Sequence, residues 1–371
     1  MPSTERMLQA LASVADPDVG RPITEMGMVD HVEEDRGSVR VVLLLTIPRH
    51  PAKDQLTREV GQALTALEGV SDVTVELRAM SDEQRGAYVA KVRPNKPAPG
   101  GADPVIPFAQ MDSETKVLAV ASGKGGVGKS SITANLAVAL AGMGKSVGIL
   151  DADIWGYSIP RMIGATGRPV AFENMVMPLR AHGCKVISIG FFIDAERPVI
   201  WRGPMLHRAL QQFLADVFWG DLDFLLCDLP PGTGDIAISL AQMLPNADML
   251  IVTTPQQAAQ RVALRAGQTT AQTGMHIGGV IENMAVFIAP DTGKEYRIFG
   301  EGGGKLLAAE LDTDLLGSIP IDERLREGAD AGVPLVVSHP DAPASRALID
   351  IASGLAKRKA SMIGKSLPLM G

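Results

Sequence analysis

Cysteine is nearly missing from this chain: its 371 residues include two, Cys184 and Cys227, far apart in sequence. Two thiols cannot build a disulfide framework, and one chain cannot supply a four-cysteine metal site from them. Aromatic residues are scarce as well, at 4%, so the core must be made of Val, Ile, Leu, Ala and Met. Positive charge is not in excess: 35 Lys and Arg stand against 42 Asp and Glu, for a net charge of -7. The sequence pI near 5.5 is the opposite of the basic face expected of a nucleic-acid binder. No run of about eighteen apolar residues occurs, which excludes a spanning helix. The opening MPSTERMLQALASVADPD lacks the apolar block of a signal peptide. These absences predict a cytoplasmic protein with neither a nucleic-acid partner nor a stable membrane association. What is present, 46% hydrophobic and 21% charged residues, suits a globular protein of about two to three domains.

Residues 1–90 read as a small α+β unit. Apolar spacing at Met7, Leu8, Leu11 and Val14 predicts a helix that Thr4 would cap, and strand-like runs follow near 26–33 and 38–46. Pro48 and Pro51 punctuate the chain before DQLTREVGQALTAL, a second helix, and VSDVTVELRAM, a closing strand. Residues 91–112 hold five prolines and two adjacent glycines, which predicts an extended linker. From 113 to 362 the pattern becomes strand–helix alternation, with a loose tail at 363–371. KVLAVAS, KSVGILDA, LDFLLCDL and ADMLIVTT are nearly continuous apolar runs, as in strands buried on both faces. The fold class expected is α/β, a doubly wound and mostly parallel sheet beside the small N-terminal domain.

The chemistry concentrates in Gly123-Lys-Gly-Gly-Val-Gly-Lys-Ser130, which fits G-x-x-x-x-G-K-[ST] between a strand and a helix. Gly123, Gly125, Gly126 and Gly128 let the backbone, with Val127, curl into a ring of N–H donors. The following helix start, with Ser131, turns its positive end toward phosphate. Lys129 is placed for the β- and γ-phosphates and Ser130 for Mg²⁺. Lys124, a second lysine in the loop, suits a cation that reaches across to phosphate held by another subunit. Asp151 and Asp153 in ILDADIWG stand at a strand end, one to orient water and Asp153 to support Mg²⁺. Asp228 in FLLCDLPPGTGD stands at another, as a metal-supporting acid, with Gly232 and Gly234 in the loop after it. ATP and Mg²⁺ are the cofactors expected.

SGKGGVGKSSITANLAVALAGMGKSVGILDADIWGYSIPRMIG, WRGPMLHRALQQFLADVFWGDLDFLLCDLPPGTGD, VIENMAVF and FGEGGGKLLAAELDTDLLGSIPIDERLREG resemble the Mrp/ApbC family of iron–sulfur cluster carrier ATPases. GRPITEMGMVDHV and LTIPRHPAKD resemble the small MIP18-type domain often fused to it. The resemblance implies a homodimer of the MinD-like class that binds ATP and Mg²⁺ and delivers Fe–S clusters to apoprotein recipients or exchanges them with assembly proteins. It also implies that Asn283 reads the adenine edge. The family's C-P-x-C is missing: the aligned run is Phe287-Ile-Ala289-Pro290-Asp-Thr292, and neither Ala289 nor Thr292 is a useful iron ligand. His50 stands where the small domain usually has cysteine and reads as a solvated loop histidine. Cys184 and Cys227 read as core residues, and Asp291, Glu295 and Tyr296 offer only hard oxygens.

Two further readings come from other classes. One is an ATP-gated interaction switch without a cluster, in which loops at Asp151–Asp153 and Asp228–Asp235 change a partner surface. The other is a MinD- or ParA-like positioning ATPase, whose mark would be a basic amphipathic end; Lys357, Arg358, Lys359 and Lys365 give it little support.

Overall fold

The computed structural model describes residues 2–47, 50, 52–92, 105–110, 112–154, 156–172, 175–192, 203–232 and 234–358. It divides into two compact units, Met1–Ala102 and Asp103–Gly371.

In the first unit, helices α1 (Thr4–Leu11) and α2 (Ile23–Met26) precede strands β1 (Val29–Asp35) and β2 (Ser38–Leu45). Helix α3 (Lys53–Thr65), strand β3 (Asp72–Ala79) and helix α4 (Asp82–Val92) complete it. The sheet order is β1-β2-β3, with β1 antiparallel and β3 parallel to the central β2. Helix α1 is capped by Ser3, one residue before the expected Thr4, through a bond from Arg6 N–H to Ser3 Oγ at 3.3 Å. Helix α4 was not expected. Its polar surface hides a weak periodicity, yet Tyr88 and Val89 are buried, and Tyr88 anchors it by donating to buried Asp16. The helix runs past residue 90, into the stretch read as linker.

The second unit opens on a single turn of 3-10 helix, Pro107–Ala109, also inside that stretch. Ile106 and Phe108 are buried there, and Phe108 meets Trp219 edge-on at 6.4 Å, because two large apolar side chains outweigh the prolines around them. Residues 93–104 and 111 of the expected linker, Pro48 and Pro51, and 359–371, which include the expected tail at 363–371, lie outside the described residues.

Then follow β4 (Lys116–Ser122), α5 (Lys129–Gly142), β5 (Val147–Asp151), α6 (Ile159–Met162), β6 (Val170–Phe172), β7 (Met175–Met177), β8 (Leu179–Ala181) and β9 (Cys184–Ser188). Next come α7 (Gly203–Ala215), β10 (Phe224–Asp228), α8 (Asp235–Met243), β11 (Asp248–Thr253), α9 (Gln257–Gln272), β12 (His276–Ile288) and β13 (Glu295–Tyr296). Helix α10 (Gly303–Glu310), β14 (Leu315–Ile321), α11 (Glu323–Ala331), α12 (Leu335–Ser338) and α13 (Pro343–Lys357) close the chain.

The main sheet runs β13-β12-β11-β4-β10-β5-β9-β8, with β14 on β12. Only the β12–β13 and β8–β9 pairs are antiparallel; the others are parallel. Alternation along each strand feeds two cores. Val117, Ala119, Leu225 and Ile251 pack with Leu210, Leu214 and Leu240 from α7 and α8. Leu118, Val120, Leu226 and Val252 pack on the opposite face with Ile132, Leu136, Leu348 and Ile351 from α5 and α13. The result is the mixed, mostly parallel α/β architecture expected from the continuous apolar runs. The chain leaves β4 toward β5 on one side and later adds β11 on the other, so the crevice above β4 is where an open α/β sheet takes a ligand.

Candidate functional site

The loop from Gly123 to Gly128 fills that crevice between β4 and α5. Its glycines answer specific demands. A Cβ on Gly123 would fall 2.3 Å from the backbone nitrogen of Ala263 on α9, and Gly128 has φ +86° with Asn283 Nδ2 2.3 Å from where a Cβ would stand. A cavity of about 250 Å³ opens over the loop, lined by Gly125 to Ser131, Asp153 and Pro231. Roughly 300–1,000 Å³ is usual for a pocket that encloses a whole small molecule, so this one is smaller than such a pocket.

One carboxylate organises the floor. Asp228, at the end of β10 and without exposed surface, has Lys129 Nζ at 2.7 Å from Oδ2. Ser130 Oγ donates to the same oxygen at 2.6 Å, and Thr133 Oγ1 donates to Oδ1 at 2.8 Å. Lys129 is 6% exposed, so cation and carboxylate balance one another where neither meets bulk water. Thr133 is the residue that motif reading missed. Its signal is its place on α5, four residues after Lys129 and hence on the same helical face.

The two acids after β5 separate. Asp153 borders the cavity and accepts Gly156 N–H at 3.0 Å. Asp151 lies beneath with no exposed surface, accepting Ser188 Oγ at 3.0 Å, Ser158 N–H at 3.2 Å and Ile159 N–H at 3.3 Å. Burial first, and the charge of Asp228 second, push the Asp151 carboxyl up to about 7. Asp151 therefore shapes the turn that presents Asp153.

Two candidate residues make contacts within the chain. Asn283 is buried and donates one amide N–H to the carbonyl of Val127 at 2.8 Å, which braces the phosphate loop. Lys124 is half-buried, and its ammonium donates to Gln256 Oε1 of the same chain at 3.1 Å. In the loop after β10, Gly232 N–H donates to Ser122 carbonyl at 2.8 Å, while Thr233 and the side chain of Asp235 lie outside the described residues. Pro204 sits in the first turn of α7; Trp201 and Arg202 are outside the described residues.

The thiols do not gather. Cys184 and Cys227 are fully buried, on opposite faces of the sheet. Burial pushes the Cys184 thiol up to about 12, and burial together with Asp228 pushes Cys227 further in the same direction. Neither is a thiolate near neutrality. Ala289 and Thr292 form the turn between β12 and β13, where Gly293 N–H donates to Ala289 carbonyl at 2.8 Å. Asp291, Glu295 and Tyr296 are exposed around it. Among the described residues, no group of three or more His, Cys, Asp or Glu is placed to hold a metal ion. His50 is not solvated as expected: it is 4% exposed. Its Nδ1 accepts Ala52 N–H at 3.2 Å, which leaves the proton on Nε2 for Asp18 Oδ2 at 2.8 Å. Asp16, two residues before Asp18, is itself buried and held by Tyr88.

Among the described residues, the apolar side chains of α13 pack into the core. Leu348, Ile351 and Leu355 are core residues, and Arg358 pairs with Asp314 at 3.2 Å. Lys359 and Lys365 lie outside the described residues. No helix among the described residues is long and apolar enough to cross a membrane.

Comparison with known proteins gives the chain's relatives. The sequence profile of the NUBPL iron-transfer P-loop NTPases matches residues 113–356, and that of an iron–sulfur cluster assembly protein matches 4–77. A Mycobacterium tuberculosis iron-sulfur cluster carrier protein is 54% identical over 97% of this chain and 95% of its own length. One from Synechocystis is 40% identical over 96% and 98%. Among solved structures, a nucleotide-binding protein from Archaeoglobus fulgidus in complex with ADP is 36% identical over 63% of this chain and 95% of its own, with TM-score 0.54. The septum site-determining protein MinD of Pyrococcus horikoshii, complexed with Mg-ADP, shares the fold at 24% identity and TM-score 0.50, over 66% of this chain and 96% of its own.

Proposed function

The chain belongs to the family of NUBPL-type iron-transfer P-loop NTPases, and from that membership and the site geometry we propose that it is a homodimeric ATPase serving delivery of iron–sulfur clusters to apoproteins. The observation that carries the ATPase reading is the single set formed by Lys129, Ser130, Thr133 and Asp228 beneath a cavity walled by loop backbone. Lys129 and the loop N–H groups, at the start of α5, neutralise the β- and γ-phosphates. Ser130 and Asp228 supply hard oxygen donors, the set Mg²⁺ prefers, with Asp153 supporting its water shell. The ion, when bound, withdraws charge from the phosphate oxygens. Asp153, at the cavity edge, is also placed to orient the attacking water, while Asp151 fixes its turn. Lys124 completes the site of a second subunit, stabilising charge that develops on the leaving phosphates, as an arginine finger does.

Clusters are cargo in this reading, and the chain's own thiols do not suit them. Buried Cys184 and Cys227 favour a second version of the function, an ATP-gated switch that acts on cluster-bearing or recipient proteins without ligating the cluster. Anaerobic reconstitution of the full chain with iron and sulfide separates the two, read by iron content and visible absorption per dimer alongside ATP binding. The thiol burial predicts no stoichiometric cluster, and the geometry around Asp228 predicts bound ATP. A stoichiometric cluster would overturn the switch version and require ligands other than the buried thiols.

A further inference from the structure

Beside the phosphate loop lies a contact that the proposed reaction leaves unexplained. Lys124 is fixed at both ends. Its carbonyl accepts Ser122 Oγ at 3.1 Å, and its ammonium donates to Gln256 Oε1 at 3.1 Å. The contact depends on how closely α9 approaches: only a residue without a side chain at 123 leaves room for the backbone of Val262 and Ala263. That approach brings the residue before α9, Gln256, level with Lys124.

Gln256 is an unusual choice at that point. Its carbonyl starts the helix, accepting Ala259 N–H at 3.0 Å and Gln260 N–H at 3.1 Å. Residues favoured at such a position, Ser, Thr, Asp and Asn, are short enough to turn their side chains back onto the helix. A glutamine amide is longer, and here its oxygen is directed across to the lysine. An amide oxygen is also a neutral acceptor, so it holds an ammonium less firmly than an ionised phosphate does.

We propose that Gln256 is a positioning residue for Lys124, holding the ammonium against the base of α9 until the phosphates of a second subunit's nucleotide displace the amide. This rests on the reading of Lys124 as a residue that acts across the dimer. Glutamine then acts as a weak latch: a carboxylate there would compete with phosphate for the lysine, and a side chain with no acceptor would leave the lysine free to cross to the second subunit without first being displaced.

The test uses the full-length chain with Gln256→Glu and Gln256→Ala, each in the wild-type and the Lys124→Ala background. Turnover and KM for ATP are measured over a range of protein concentrations. Gln256→Glu is expected to lower kcat about tenfold with KM within about twofold, because the trapped lysine is needed only as charge develops. Gln256→Ala is expected to raise turnover per subunit about threefold at low protein concentration and to converge with wild type at high concentration. Both effects should vanish in the Lys124→Ala background. A merely structural role for Gln256 would lower turnover in both variants and persist without Lys124, and that result overturns the inference. If Lys124→Ala itself turns over like wild type, the reading beneath the inference fails. If Lys124→Ala is impaired and both Gln256 variants match wild type, the inference alone fails.

Discussion

Replacing Thr133 by valine tests the organisation around Asp228 with almost no change of shape. Thr133 has no exposed surface, and its hydroxyl lies 2.8 Å from Asp228 Oδ1. Valine keeps the volume and removes the donor, leaving one oxygen of a buried carboxylate short of a partner. Hydrogen bonds to charged groups contribute about 1.5–3 kcal/mol. For a unit of this size each kcal/mol shifts the midpoint by roughly 2–4 °C, so the variant should melt about 3–12 °C below wild type. Asp228 also receives Lys129 and Ser130, so the loosened carboxylate should lower ATP turnover as well, by about tenfold. Thr133→Ser keeps the hydroxyl and loses one methyl, at about 1 kcal/mol, and should retain most of the turnover. Calorimetry and a phosphate-release assay on the three proteins decide the matter. A valine variant that melts and turns over like wild type would show that this hydroxyl does not support Asp228.

Other outcomes follow from the same geometry. Lys124→Ala should reduce kcat by about 10³, the scale of an arginine finger, while the Kd for ATP moves by less than about threefold; an equal loss in both would place the lysine on its own subunit's nucleotide. Asp151 gives a pH signature. Its carboxyl, raised to about 7 in the fold from near 4 in the unfolded chain, binds a proton in the folded state that the unfolded state has released. Stability conferred by this group therefore falls as pH rises between those values, by at most about 1.4 kcal/mol per unit. Denaturant titrations of Asp151→Asn from about pH 5 to 7 should show a flatter decline than wild type, and parallel curves would refute the assignment.

The sheet was legible because strands buried on both faces leave long apolar runs, as in LDFLLCDL. The phosphate loop was legible because glycines so closely spaced between strand and helix expose backbone N–H groups that suit little besides an anion. The grouping of Lys129, Ser130 and Asp228 followed from the same pattern, since each stands at the end of a strand or the start of a helix. Less legible was anything set by side-chain reach. Asn283 carries no sign in sequence of the Val127 carbonyl that its amide reaches. Lys124 carries no sign of Gln256, which is distant in the chain and comes close through the packing of α9 on Gly123. His50 shows a related limit: a histidine between prolines reads as solvated, and its burial depends on Asp18 closing from another loop. Helix α4 was missed because Tyr88 and Val89 are its only buried residues, too few to set a period.

The central claim, a phosphate site completed by a second subunit, is tested most directly by MgATP hydrolysis per subunit as protein concentration rises through the monomer–dimer range, for wild type and Lys129→Ala. The wild-type rate per subunit should climb with dimer formation, and no measurable turnover should remain without Lys129. A rate that stays constant across that range, or survives the loss of Lys129, would contradict it.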